Sequence, residues 1–377
     1  MAEPVRPRPG RQTAGPVALV AALFAAALAF AAAFSVRHGF FDLRVYRGAM
    51  RYWVLDGGEL YDFLLGSSPY GFTYPPFAGL LMVPLAYLPW HAAIAVHAAA
   101  TVACLLAVLW WLVAPLARRR GRRPWVAVGV AAALAAAFEP VRETLLFGQV
   151  NAFMLALVAA DVCLLLARGS RWAGVGIGLA TAVKLTPGIF LLYLLVTGRW
   201  RAALTAVGAA AGATLLAGAV APDASREFWT SAVWNTSRVG ALDYVSNQSL
   251  LGVLARIEPA RPDRLLWLVL VAVVLAVWAW RARAAVARGD ELAGFALTGV
   301  VGCLVSPVTW VHHLVWLLPA LVLLADAGLR ARPGAPRAGL LAAAALGYAV
   351  LCSRLVWWWE KRAFDAGAFL GANAYVW

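Results

Sequence analysis

The sequence lacks most of the features that mark soluble enzymes and secreted domains. Only four cysteines occur in 377 residues, all inside apolar runs and without close spacing: Cys104, Cys163, Cys303 and Cys352. This pattern argues against a disulfide framework and a cysteine metal site. No glycine-rich phosphate loop is visible, and no polar stretch is long enough for a nucleotide-binding domain. Charged residues form only 13% of the chain, about half the share typical of soluble domains.

Lysine is almost absent, yet the net charge is +14, because arginine carries it. The arginines form short clusters between apolar runs, at positions 118–123, 168–171, 199–201, 281–288 and 330–337. Such clusters follow the positive-inside rule, by which basic loops stay cytoplasmic and meet anionic headgroups. We therefore expect membrane lipids as partners and no nucleic acid.

What the sequence has in abundance is apolar residues, at 63% of the chain. A helix of about 20 such residues crosses the hydrocarbon core of a bilayer. We therefore predict an all-α polytopic membrane protein, a bundle of roughly 9–12 transmembrane helices. The supporting runs are Val17–Val36, His91–Ala117, Ala202–Ala221 and Leu292–Val311, with shorter ones at Pro124–Phe138, Leu265–Trp280, Leu314–Ala325 and Ala338–Ser353.

The placement of charge predicts the organisation of the chain. With every arginine cluster inside, residues 1–16 are a basic cytoplasmic arm and residues 17–353 a single transmembrane domain. Within that domain, residues 37–75 and 222–263 are outside loops. Residues 354–377 form an outside tail.

Two apolar stretches do not fit as simple crossings. Pro76–Pro89 is short and interrupted by proline, and a crossing there would put the next arginine cluster outside. Trp172–Thr197 has arginines at both ends and is broken by KLTPG at Lys184–Gly188, since proline and glycine interrupt a helix. We expect a re-entrant or interfacial element in the first case and a hairpin of two half-helices in the second.

The stretch FFDLRVYRGAMRYWVL follows the first apolar run and has two faces at helical spacing. This predicts an amphipathic helix at the membrane surface, with Asp42 at its start. Asp42 is either a catalytic residue or only the first-turn acid of an anchoring helix. The faces are Leu43, Tyr46, Met50 and Trp53 on the apolar side, and Arg44, Arg47 and Arg51 on the basic side.

Two amide-bearing motifs lie at predicted outside ends of apolar runs. GQVN contains Gln149 and Asn151, and SNQSL contains Asn247 and Gln248. Amides both donate and accept hydrogen bonds, which suits sugar hydroxyls. Each motif could instead cap a helix, and the residues alone leave both interpretations open.

Cationic candidates are few. Lys184 lies within an apolar stretch, where an ionisable group is a functional hypothesis by default, although it could also snorkel from a hairpin. His312 and His313 stand at the outside end of a span and could donate to phosphate. Adjacent residues do not share a helical face, so we expect one of them in a cavity. With no third ligand evident, we predict no metal site.

These motifs occur in the order FDLRVYRGA, YPPF, GQVN, KLTP, NQSL and WVHHLVWLLPAL. In this order the chain, from about Phe41 to Ala325, resembles glycosyltransferase family 87, which contains polyprenol-phosphate-mannose-dependent α-1,2-mannosyltransferases and related arabinofuranosyltransferases. The resemblance implies a GT-C-type bundle in the plasma (inner) membrane of a bacterium, with its active site facing outside. It implies a polyprenyl-phosphate-sugar donor, a glycolipid or glycan acceptor, and no cofactor, since the lipid-linked donor is itself a substrate.

The resemblance also implies roles for residues. Asp42, the acid just after the first span, is the expected general base, taking the proton of an acceptor hydroxyl that attacks the anomeric carbon with inversion. Cations would stabilise the leaving lipid phosphate. The candidates are Lys184, His312, His313 and Arg44 for the phosphate, and Gln149, Asn151, Asn247 and Gln248 for the acceptor sugar.

Three rival interpretations remain at this level. The transferred sugar could be arabinofuranose rather than mannose. A secondary transporter would explain the broken hairpin and Lys184, but it should show related halves, and none is visible. A non-catalytic lipid-binding protein of the same architecture would not need Asp42.

Overall fold

A computed structural model describes residues 11–36, 38–235, 238–360 and 365–377. Residues 1–10 of the predicted cytoplasmic arm and residues 361–364 of the predicted tail therefore lie outside the described residues. The described residues are mainly helical, and their only β-pairing is an isolated bridge. The first nine helices are α1 (Arg11–Phe34), α2 (Phe41–Val54), α3 (Pro76–Met82), α4 (Pro84–Tyr87), α5 (Trp90–Arg119), α6 (Pro124–Ala137), α7 (Glu139–Phe147), α8 (Asn151–Ala160) and α9 (Val175–Val183).

The second half of the chain is helical in the same way. Short 3-10 segments at Thr186–Gly188, Val311–Leu317 and Leu355–Trp359 precede α10, α16 and α18, and a π-helical turn, Asp161–Leu166, extends α8. The remaining helices are α10 (Ile189–Val196), α11 (Trp200–Val220), α12 (Pro222–Thr230), α13 (Leu250–Ile257), α14 (Arg264–Ala287), α15 (Glu291–Val305), α16 (Leu318–Arg330), α17 (Ala335–Cys352) and α18 (Ala366–Ala372).

The polytopic all-α prediction is confirmed. Among the described residues, six helices are long and apolar enough to cross a membrane, or seven if α6 and α7, bent by 70°, form one span. Four shorter apolar helices accompany them. The predicted total of nine to twelve therefore depends on how many of these shorter helices also cross.

Helix α2 has the predicted two faces. Leu43, Tyr46 and Met50 are buried in the core. The basic face is held by the corner where α4 leads into α5. Arg47 donates to the carbonyl of Leu88 at 2.9 Å and Arg51 to that of Ala86 at 3.2 Å. Arg44 lies over the ring of Trp90. The amphipathic pattern therefore positions α2 from both sides, by apolar burial and by arginine contacts.

The stretch 172–197 forms two half-helices, as predicted. Helix α9 runs alongside α11, and a Cβ at Gly178 would lie 2.2 Å from the carbonyl oxygen of Ala206, so only glycine permits this approach. Asp161, following α8, accepts hydrogen bonds from Gly174 and Ile177 at 2.6 and 3.0 Å and so caps α9. Both ends of the stretch meet the start of α11, and Lys184 lies at the break between α9 and α10.

The loops rich in arginine gather at one end of the molecule, which we name the basic end. Arg120, after α5, pairs with Asp326 of α16 at 2.7 Å. Arg199, before α11, pairs with Glu291 at the start of α15. The other ends of these helices surround a polar cavity, so we name that side the cavity end. Alternation of the helices between the two ends is what the charge pattern predicts.

Candidate active site

A cavity of about 490 Å³ opens at the cavity end, and we call it the polar cavity. Its walls come from the start of α2, the loops before α3 and α8, the break after α9, the segment before α13 and the 3-10 segment before α16. Its polar lining is His38, Asp42, Thr73, Gln149, Lys184, Arg238, Ser246, His312 and His313, and its aromatic lining includes Phe41, Tyr46, Tyr70, Tyr74, Phe147, Tyr244, Trp310 and Trp357.

Asp42 reaches the polar cavity because the chain turns sharply between α1 and α2. Gly39 and Phe40 both adopt left-handed backbone conformations, with φ of 60° and 55°. The Phe40 N–H donates to the carbonyl of Leu146 at 3.1 Å, which fixes the turn against the end of α7. The first turn of α2, and with it Asp42, is thereby set at the cavity wall.

The GQVN motif brings an amide to this carboxylate. Gly148 ends α7 with a φ of 72°, and a Cβ there would lie 2.6 Å from the Cβ of Leu43. Only glycine allows α7 to approach α2 this closely. The next residue, Gln149, is buried and hydrogen-bonds to Asp42.

The environment of Asp42 suits a general base. Burial raises its pKa to about 6, although the hydrogen bond from Gln149 and the charges of Lys184 and His38 lower it. A carboxylate with a pKa near 6 remains ionised at neutral pH and is more basic than an exposed aspartate.

Tyr74 links Asp42's surroundings to Lys184. Its hydroxyl lies 3.0 Å from that of Tyr46 and donates to Gln149 Oε1 at 3.1 Å. Lys184 Nζ lies 3.5 Å from the hydroxyl oxygen of Tyr74. Burial and the nearby Asp42 raise the pKa of Tyr74, so its hydroxyl stays protonated. Tyr74 was not predicted from the sequence, because the prolines of YPPF indicate only a bend and the partners of Tyr74 lie far from it along the chain.

Lys184 is the centre of the cationic side of the polar cavity. Its side chain is buried, and Nζ donates to Asn151 Oδ1 at 2.9 Å. It also lies 3.0 Å from His313 Nε2. The structure therefore brings together Lys184, Asn151 and His313, three predicted residues from distant parts of the chain.

Both histidines of the pair line the polar cavity, where one was expected. His313 Nδ1 accepts the N–H of Trp310 at 3.2 Å, and Nε2 lies 3.0 Å from Lys184 Nζ, so the ring is held between these two groups. The carbonyl of His312 accepts hydrogen bonds from Thr144 and Asn151 at 3.2 and 3.1 Å, which holds the pair in place.

Two further cavity residues were not singled out from the sequence. His38 stacks on Phe147 at 3.9 Å and lies 2.7 Å from Glu143, a buried carboxylate of α7. Arg238 donates to the carbonyl of Tyr61. The position of His38 between the first span and Asp42 could have signalled it, whereas Arg238 lies in a long loop without a recognisable pattern.

Arg44, expected at the donor phosphate, does not line the polar cavity. It is exposed, and its guanidinium carbon lies 5.4 Å from the centre of the Trp90 ring. Arg44 follows Asp42 by two positions, and residues two apart on a helix face different sides. Its side chain therefore points toward the α4–α5 corner. The phosphate candidates that the structure groups are Lys184, His312 and His313.

Asn247 and Gln248, expected at the acceptor sugar, do not line the polar cavity either. The Oδ1 atom of Asn247 accepts from the Thr309 N–H at 2.9 Å. Gln248 donates to the carbonyl of Ala372 at 2.8 Å and accepts from the Tyr375 N–H at 3.2 Å. Both amides bond within the protein and are not in the lining of the polar cavity.

Gln248 instead fastens the segment 365–377, and the backbone carbonyl of Asn247 takes part through Arg256. Arg256 donates to Asn373 Oδ1 at 2.9 Å and to the carbonyl of Asn247 at 2.8 Å. We name Asn247, Gln248, Arg256 and Asn373 the tail clamp. Among these described residues, every amide oxygen accepts a bond from inside the protein, so the tail clamp leaves no amide oxygen for a substrate.

Among the described residues, no group of three histidine, cysteine, aspartate or glutamate side chains could hold a metal ion. The expectation that the reaction needs neither metal nor cofactor remains a prediction.

Comparison with known proteins identifies the family. Residues 72–307, more than half of the chain, match the family model of glycosyltransferase family 87. Asp42 and His312 lie outside the matched range, Asp42 before it and His312 after it. No solved structure matches the chain.

Curated relatives extend the match. A polyprenol-phosphate-mannose-dependent alpha-(1-2)-phosphatidylinositol mannoside mannosyltransferase of Mycobacterium tuberculosis is 37% identical over 308 residues, covering 77% of this chain and 71% of the relative. A protein of the same name from Mycolicibacterium smegmatis is 36% identical over 325 residues, with the same coverage. A pentamannoside mannosyltransferase of that species is 32% identical, covering 78% and 72%. This chain therefore belongs to glycosyltransferase family 87 and is a membrane glycosyltransferase.

Proposed function

We propose that the protein transfers mannose from polyprenyl-phosphate-mannose to a phosphatidylinositol mannoside, with inversion and with Asp42 as the general base. The names of the relatives support both the donor and the acceptor class. The observation that carries the proposal is the pairing, in one polar cavity, of a carboxylate with a pKa near 6 and a buried lysine–histidine cluster.

The two sides of the polar cavity suit the two halves of the reaction. Asp42 takes the proton from an acceptor hydroxyl as the hydroxyl oxygen forms its bond to the anomeric carbon. The bond from that carbon to the donor phosphate breaks, and the leaving phosphate oxygen keeps the electron pair. Lys184 and His313 face that developing negative charge, where preorganised polar groups are most effective.

Bridging residues connect the two sides of the polar cavity. Tyr74 and Gln149 connect Asp42 with Lys184 through hydrogen bonds, and Asn151 fixes both Lys184 and the backbone of His312. The aromatic walls, including Trp310 and Trp357, offer flat faces on which sugar rings stack. Gln149 is the acceptor candidate from the sequence that lines the polar cavity, whereas Asn151 is not in the lining and instead positions Lys184 and His312.

We also propose that the polar cavity faces the outside of a bacterial plasma membrane. The arginine-rich loops gather at the opposite, basic end, and such loops favour the cytoplasm. Ser67, exposed in the loop before α3, and Arg119, exposed at the basic end, give a test. In intact cells, a membrane-impermeant maleimide should label Ser67→Cys and not Arg119→Cys. The reverse labelling would contradict the orientation.

The activity is tested with purified protein in proteoliposomes. Radiolabelled polyprenyl-phosphate-mannose is supplied with phosphatidylinositol mannosides, and the lipid product is digested with an α-1,2-specific mannosidase. We expect label in a larger phosphatidylinositol mannoside that the mannosidase releases. Transfer from polyprenyl-phosphate-arabinofuranose alone would overturn the choice of mannose, and transfer from neither donor would overturn the proposed activity.

A further inference from the structure

A second cavity shares no lining residue with the polar cavity. It measures about 860 Å³ and is a groove between α5 and α6 on one side and α16 and α17 on the other. Its walls are apolar along most of their length, with Leu109, Val130, Leu321 and Leu341 among the lining residues. The residues of the reaction described above do not line it. We name it the basic-end groove, after the position of its mouth.

The mouth carries positive charge. Arg120, Arg122 and Arg123 line it together with one carboxylate, Asp326, leaving a net charge of +2. Asp326 is buried and holds Arg120 at 2.7 Å, which orients the rim. Arg122 is exposed at the turn between α5 and α6. An apolar groove with such a rim matches an amphiphile whose head is anionic.

The length of the groove matches one leaflet of a bilayer. Along α6 the lining runs from the arginines to Leu134, about 11 residues or roughly 17 Å of helix. Half of the hydrocarbon core measures about 15 Å. At the far end, Tyr348 of α17 donates to the carbonyl of Leu134 at 2.9 Å and ties the two walls together.

We propose that the basic-end groove binds one anionic phospholipid of the leaflet at the basic end, with its phosphate at the arginines and its acyl chains along the groove. Basic pockets between membrane helices are a known setting for anionic headgroups. The donor lipid fits less well, because the proposed reaction requires its phosphate in the polar cavity at the opposite end. A bound lipid would join the helix pair α5–α6 to the pair α16–α17.

The test is lipid retention by the full-length protein. Purified protein is incubated in detergent with equal amounts of phosphatidylglycerol and phosphatidylcholine, and the retained lipids are counted by native mass spectrometry. We expect one phosphatidylglycerol per protein, favoured over phosphatidylcholine by about tenfold or more. Added phosphatidylglycerol should also raise the unfolding temperature, and glycerol phosphate without acyl chains should not compete.

Matched variants locate the site. Arg122→Glu should lower phosphatidylglycerol retention about tenfold, whereas Arg283→Glu, an exposed arginine of α14 also at the basic end, should not. Ala345→Trp fills the groove, and Ala343→Trp, exposed on the same helix but outside the groove, is its control. Only the first of each pair should lose the lipid.

Three results would overturn the proposal. Equal retention of phosphatidylcholine would remove the role of the arginines. Equal effects of Arg122→Glu and Arg283→Glu, or of the two tryptophan variants, would place the lipid elsewhere. Displacement of phosphatidylglycerol by polyprenyl phosphate would assign the groove to the donor lipid instead.

Discussion

Two clusters of buried polar side chains lie near each other at the cavity end, and they differ in what their hydrogen bonds leave over. In the polar cavity, Asp42, Lys184 and His313 all line open space, although Lys184 and His313 also contact each other. In the tail clamp, Gln248 and Arg256 bond only to protein groups. Burial and polarity are therefore shared features, and spare hydrogen-bonding capacity toward a cavity separates a site from a fastening.

The difference also concerns solvation. A fully bonded buried amide contributes to stability, since its loss leaves partners unsatisfied. A carboxylate held at a cavity wall costs stability but gains basicity, as the raised pKa of Asp42 indicates. Substitutions in the polar cavity should therefore lower activity, and substitutions in the tail clamp should lower stability.

The largest expected effect is that of Asp42→Asn. Removing the base while keeping the shape should lower kcat by about 10²–10⁴-fold, with donor binding and unfolding temperature near those of wild type. The measurement is mannosyl transfer in proteoliposomes alongside donor binding. Asp56→Asn, an exposed aspartate just after α2, is the matched control and should stay active. Equal activity of the two variants would make Asp42 a structural acid.

Lys184→Met should follow, lowering kcat by about 10²–10³-fold because the leaving phosphate loses its nearest donor. Arg44→Met is the control, since Arg44 stacks on Trp90 outside the polar cavity. Its effect should stay within about twofold. If Arg44→Met proved as damaging as Lys184→Met, the phosphate would lie closer to α2 than the geometry indicates.

The same substitution, asparagine to alanine, should have different effects in the two clusters. Asn247→Ala should destabilise the protein by about 1–3 kcal/mol with little change in kcat of the folded fraction. Asn151→Ala should lower kcat about tenfold or more, because Asn151 positions Lys184 and His312. Denaturant unfolding in micelles and transfer assays measure both quantities. A reversed pattern would exchange the roles assigned to the two motifs.

The smallest effect is a shift in pH dependence. Because Asp42 must be ionised, and its pKa is about 6, kcat/KM should fall about tenfold per unit as pH drops below that value. Gln149→Met removes a bond that lowers this pKa, so the acidic limb should move to higher pH. Gln248→Met, the same change in the tail clamp, should leave the limb in place. If the acidic limb did not move in Gln149→Met, a group other than Asp42 would be titrating.

Much of the fold could be predicted from the sequence, because lipid imposes simple rules. Apolar length predicted the long helices, arginine placement predicted the basic end, and Lys184–Gly188 predicted the break between α9 and α10. The two faces of α2 followed from periodicity alone. These features depend on local composition, so no knowledge of tertiary contacts was needed.

The site was predicted less evenly, since it depends on direction and pairing. GQVN and SNQSL looked equivalent as amide motifs, and only contacts with Lys184 on one side and Ala372 on the other separate them. Arg44 shares a helix with Asp42 but points elsewhere. Tyr74 acts through distant partners, which no local pattern reveals.

The hairpin that carries Lys184 has a consequence for how the protein is made. Helices α9 and α10 have nine and eight residues, or about 14 and 12 Å, well short of a bilayer's hydrophobic thickness. Lipid cannot satisfy the open backbone groups at their shared break. The hairpin therefore has to be buried in protein, and α9 packs on α11, which follows it in the chain. We expect Lys184 to reach its place only after later segments, among them the one that carries His313, have entered the membrane. Catalytic competence would then mark the completion of packing rather than of insertion.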